Sequence, residues 1–97
     1  MKAKTYELAP LAEADLEDIW LYTLEQWSRV QADDYYRSLV TAFDALASGH
    51  VQGRKVDVRP GYLKHLCGSH IVYFQDRGDR LDIIRILHQR QDVNRNL

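Results

Sequence analysis

Leu81-Asp82-Ile83-Ile84-Arg85-Ile86-Leu87-His88-Gln89-Arg90 is the longest β-branched, apolar run in the chain. Its length and its isoleucines read as a strand buried on both faces. Arg85 interrupts the run, and His88 and Arg90 stand at its exit. A histidine and two arginines at a strand end suit a catalytic cluster, a docking patch or plain polar punctuation. What surrounds the strand has to decide among them.

Working back from it, Asp76-Arg77-Gly78-Asp79 is a hairpin loop with glycine where a positive φ is needed. His70-Ile71-Val72-Tyr73-Phe74 is a second strand, apolar on both sides. Gly68-Ser69 breaks it from a third, residues 62–67, and Pro60-Gly61 is the central pair of a type II turn. Gly53-Arg54 signals a turn, and Val56-Asp57-Val58 a short extended piece. These runs predict a three-stranded antiparallel meander, followed by a polar tail over residues 88–97 with only Val93 and Leu97 apolar.

The first half is helical. Residues 3–8 alternate as a short strand. Pro10 opens a helix from about 10 to 27, after Ala9, a poor cap where Ser or Asp would add about 1 kcal/mol. Glu13 and Asp15 partly compensate near its start. Ala12, Leu16, Ile19, Trp20, Thr23 and Trp27 follow one buried stripe. Ser28-Arg29-Val30-Gln31 is a capping box for a second helix ending at Gly49. Trp20, Trp27, Tyr35, Tyr36 and Phe43 are expected to pack in the core or the helical hairpin. The fold class is therefore α+β: an N-terminal strand, a two-helix hairpin, then the meander, with both helices on one sheet face. The other face is left under-covered, so the tail, a second copy or a partner chain is expected there.

Ninety-seven residues make one domain, 1–97, with 45% apolar and 28% charged residues. One cysteine, Cys67, allows no internal disulfide and reads as a small buried hydrophobe. The start lacks an apolar stretch behind its lysines and no run is long enough to span a bilayer, so a cytoplasmic protein without membrane contact is expected. Residues 1–52 hold 4 Lys/Arg against 9 Asp/Glu, and residues 53–97 hold 9 against 5. A net charge of −1 does not fit a protein that holds nucleic acid through phosphates.

No phosphate-binding glycine loop or nucleophile elbow is present, the four histidines have no metal-ligand spacing, and no cofactor or metal is expected. The candidates left are Arg59, Lys64, Arg85, His88 and Arg90. As a catalytic set, His88 would be acid or base and Arg85 and Arg90 would stabilise phosphate while RNA is cut by its own 2′-OH. As a binding set, all five form a cationic patch for a protein, with Arg85 paired to an acid.

Tyr6-x-Leu8-x-Pro10-x-Ala12-x-x-Asp15-Leu16-x-x-Ile19 resembles the opening of the ParE toxins in the RelE/ParE superfamily. Gly53-Arg54, Arg59-Pro60-Gly61, His70-Ile71-Val72-Tyr73-Phe74 and Ile84-Arg85-Ile86-Leu87-His88-Gln89-Arg90 continue the match in order. One departure is Ala9, where many relatives carry a serine cap. The resemblance implies the toxin of a type II toxin–antitoxin system that inhibits DNA gyrase and so blocks replication. A cognate antitoxin would wrap it in a hetero-oligomer and cover the second sheet face. The alternative within the superfamily is a RelE-like, ribosome-dependent mRNA endonuclease. Work inside the ribosome calls for a strongly basic surface, whereas the pI here is about 6.4 and five acids on the first helix have no basic neighbours within it. That favours the gyrase inhibitor, with no direct sequence-specific contact to nucleic acid.

Overall fold

A computed structural model describes residues 4–97. The elements run β1 (Thr5–Leu8), α1 (Pro10–Gln26), α2 (Arg29–Ser48), β2 (Arg54–Lys55), β3 (Leu63–Cys67), β4 (His70–Asp76), β5 (Arg80–His88) and α3 (Val93–Asn96). The five strands form one sheet in the order β1-β5-β4-β3-β2. Three pairings are antiparallel, and β1 lies parallel to β5, Thr5 opposite Arg80 and Leu8 opposite Ile83. Ala3, where the sequence reading starts the first strand, lies outside the described residues.

Local chemistry sets most boundaries. Pro10 takes the first turn of α1, where its missing N–H costs nothing, and Ala9 makes no side-chain cap. Ser28 Oγ accepts from the Gln31 N–H at 3.1 Å, the first half of the expected capping box. Gly49 ends α2 in the left-handed region at φ 83°. The Tyr62 N–H reaches back to the Arg59 carbonyl around Pro60-Gly61, with Gly61 at φ 87°, as a type II turn requires.

Both long helices lie on one face of the sheet, as expected. Ala12 and Leu16 of α1 and Leu39, Phe43 and Leu46 of α2 enclose Val72, Phe74, Leu81, Ile83 and Ile86. Gly53 packs so tightly here that a Cβ would lie 2.5 Å from the Phe74 ring, which accounts for its glycine. Strand alternation turns Tyr73 and Leu87 to the opposite face, where Val56 joins them.

Several expectations need correction. The meander gains a two-residue edge strand, β2, and Val56 is a plug on the second face rather than strand. The polar tail is ordered: Asp92 caps the single-turn α3 through the Asn94 N–H, and Val93 and Leu97 pack on the second cluster. The aromatic stripe is core only in part. Phe43 is fully buried and Trp20 half-buried, but Tyr36 is exposed and Trp27 is 69% exposed. All buried residues of α1 lie in its first half, above the sheet. The tip of the hairpin has only the other helix beneath it. A helical period finds a stripe but not where the supporting layer ends.

Candidate functional site

The long strand is organised around a seam. Pairing with β1 stops at Leu8, and the Ala9 N–H adds one last bond to the Ile83 carbonyl before the chain turns into α1. Beyond that point the outer edge of β5 has no strand beside it. Asp15, on the second turn of α1, takes its place: its Oδ2 accepts from the Ile86 N–H at 2.9 Å. The same carboxylate accepts from Arg85 Nε at 2.7 Å and from a terminal guanidinium nitrogen at 2.9 Å. The remaining terminal nitrogen donates to the Asn96 carbonyl at 2.9 Å. Every nitrogen of the guanidinium is engaged, and the two side chains are only 18% and 14% exposed. The fork geometry and the partial burial make this a strong pair of its kind. It ties α1, β5 and α3 together at one point.

A second cluster sits at the far end of the helix-covered face. His70 opens β4 and lies directly opposite His88, the last residue of β5. Their rings meet edge to face with centroids 5.4 Å apart. Tyr35 of α2 brings its hydroxyl within 2.6 Å of His70 Nδ1, and that hydroxyl also accepts from the Ser69 N–H at 3.0 Å. Burial, and then the neighbouring His88, push the His70 pKa down to about 4 against a weaker opposing pull from Asp15. His70 is thus neutral at physiological pH. Burial also raises the Tyr35 phenol and the Cys67 thiol. Neither is a ready nucleophile.

The five residues named from sequence fall into separate places. His88 and Arg90 do come together, through the Arg90 N–H on His88 Nδ1 at 3.1 Å. Arg85 does not join them. It lies across from Tyr73 and three residues from His88, so strand alternation turns the two side chains to opposite faces. Arg59 packs over the Tyr62 ring, 5.9 Å from its centroid, and donates to the Leu97 carbonyl. Lys64 faces the second side of the sheet, opposite Tyr73. The five acids of the first helix are not all unopposed either, since Asp15 is held by Arg85. Among the described residues no group of three His, Cys, Asp or Glu could hold a metal ion, and no helix is long and apolar enough to cross a membrane.

Asp15, Tyr35 and His70 were missed as members of these clusters. Asp15 was read only as a favourable charge near a helix start, and Tyr35 as a core aromatic. Counting outward from the Gly78 loop, where Asp76 faces Leu81, would have set His70 opposite Leu87, one residue short of His88. The β-bulge that offsets the count at Ile84 leaves no mark in the sequence. His65 lies across from Val72, and Cys67 is the β3 residue opposite His70.

Comparison with known proteins places this arrangement. Residues 6–93 match the model of a family described as ParE toxin of type II toxin-antitoxin system, parDE. The chain is 45% identical over 94 residues to Toxin ParE1 of Mycobacterium tuberculosis, covering 95% of this chain and 96% of that one. It is 38% identical over 95 residues to Toxin ParE1 of Caulobacter vibrioides, covering 97% and 98%. Among solved structures, one described as a chromosomal ParDE TA system from P. aeruginosa superposes with a TM-score of 0.77 at 19% identity. It covers 89% of this chain and 96% of that one.

Proposed function

Because the chain belongs to the ParE toxin family of type II toxin–antitoxin systems, we propose that it arrests growth by inhibiting DNA gyrase, has no nuclease centre of its own, and is neutralised by a cognate antitoxin. The observation that carries this reading is the closure of Arg85. A phosphate-stabilising arginine must offer free N–H donors to the developing charge. Here three of the five N–H donors of Arg85 are taken by Asp15 and the Asn96 carbonyl, its charge is paired with the Asp15 carboxylate, and His88 lies on the opposite face. His70, with its pKa near 4, cannot supply a proton at neutral pH. The acidic α1 adds to this, because a surface rich in carboxylates is repelled by rRNA. The family name itself supports the gyrase target, and the ParDE neighbour supports an antitoxin as partner.

The binding set then acts through protein contact. Lys64 and Arg59 lie on or beside the second sheet face, and Arg90 is exposed at the strand exit. Purified protein is expected to inhibit supercoiling of relaxed plasmid by gyrase and to leave ribosome-bound mRNA intact. Cleavage of mRNA in the ribosomal A site, abolished in His88→Ala, would reverse the assignment in favour of the RelE-like activity.

A further inference from the structure

We propose that the sheet face turned away from the long helices carries, at the Arg54–Lys64 pair, a binding site for an acidic, extended segment of a protein partner. The register makes the case. Arg54 lies opposite Lys64, Lys64 opposite Tyr73, and Tyr73 opposite Arg85. Directly opposed residues share a face, so these four form one row across the sheet. Asp15 draws Arg85 to the sheet edge. Arg54 and Lys64 make no ion pair among the described residues. Two like charges set directly across from each other work against the pairing of strands, and β2 is only two residues long. An edge this short tolerates many residue types. Stability alone does not call for two cations in register here.

The surroundings indicate what would sit on them. Leu66 follows Lys64 by two residues on the same face and is 58% exposed. Arg59 is already engaged, over the Tyr62 ring and on the Leu97 carbonyl, so Arg54 and Lys64 are the cations left to the site. An extended chain repeats its side chains every second residue. A carboxylate between Arg54 and Lys64 therefore sets an apolar side chain two positions away over Leu66. Nucleic acid fits less well, since two free cations fall short of the roughly 6–10 phosphate contacts of a typical complex, and the whole chain carries a net charge of −1. The inference deepens the antitoxin reading, and rests on it for the origin of the segment.

The test uses purified protein and a fluorescein-labelled twelve-residue peptide with Glu at alternate positions and one central Leu two residues from a Glu. Controls are the same peptide with Lys for Glu and a twelve-nucleotide single-stranded DNA. The acidic peptide should bind, and Lys64→Glu or Arg54→Glu should weaken it about tenfold or more, as loss of a charge-assisted contact does. The melting temperature of each variant should stay level or rise, because opposed like charges become an ion pair. A peptide that does not bind, equal binding by both variants, or tighter binding of the DNA overturns the proposal. Weaker binding that comes only with a lower melting temperature overturns it too, by making the pair structural. Growth arrest by the unaltered chain is scored separately, so a failed surface and a failed toxin assignment give different results.

Discussion

The two faces of the sheet are closed by different means. The first is sealed by the first half of α1 and by α2, with Leu39, Phe43, Val72 and Ile83 wholly excluded from water. The second is closed by Val56 and a four-residue helix, whose two contributions, Val93 and Leu97, stay half-buried. One face rests on apolar burial. The other rests on a small apolar cluster plus two arginines, Arg85 and Arg59, each donating to a carbonyl of the last two residues. A face held chiefly by directional bonds at its rim can open without loss of the core, and that is what a partner-binding face needs.

The largest expected effect lies on the sealed face. Phe43→Ala should lower unfolding stability by about 3–5 kcal/mol in urea titration, through lost burial and the cavity left behind. A loss below about 1 kcal/mol would erase the contrast between the faces. Next comes the seam between them. Asp15→Ala strands the half-buried Arg85 and leaves the Ile86 N–H unbonded, which should cost about 2–3 kcal/mol. The double variant with Arg85→Met should recover part of that, and equal losses in the single and double variants would show that the pair is not a unit.

A smaller effect follows from pH. The unfolded chain protonates its histidines near pH 6.5, whereas His70 folded against Tyr35 and His88 resists protonation until about 4. The unfolded state therefore binds more protons between those values, and stability present above pH 6.5 is lost as the pH falls towards 4. Discounted for the partial exposure of His70, the loss is about 1–2 kcal/mol. It should be absent from His70→Gln when both proteins are titrated with urea at pH 7.5 and 4.5. The smallest effect belongs to the open face: Val93→Ala should cost about 1 kcal/mol or less. Amides of α3 should exchange with solvent well before those of β4 and β5. Protection of α3 equal to that of β5 would mean that the second face is as firmly closed as the first.

Much of this was legible in the sequence because it depends on neighbours close in the chain. The capping serine, the glycine stop at Gly49, the Pro60-Gly61 turn and the two apolar strands are local signals, and each stands where it was read. The order of motifs from Tyr6 to Arg90 also pointed to the family. The sites were far less legible. Arg85 was named, but its partner Asp15 lies 70 residues away, and nothing in the spacing of either announces the other. His88 and Arg85 looked like one cluster because they are three residues apart, and a strand separates such neighbours by turning them to opposite faces.

The sequence by itself determined the first strand, the two long helices and the three strands of the meander, their order, the helix-covered core and the family. The elements, their order and the core follow from short-range propensity and periodicity, which a linear chain carries intact, and the family from the resemblance of the ordered motifs between Tyr6 and Arg90. Only the tertiary structure decided that β1 stops short on β5, that a carboxylate from α1 completes that open edge, and that the polar end folds back as a lid. It also decided that Arg54, Lys64 and Tyr73 stand in one row. Register across strands and the reach of one layer over another are set by the closing of the whole sheet, and no stretch of the chain records them alone.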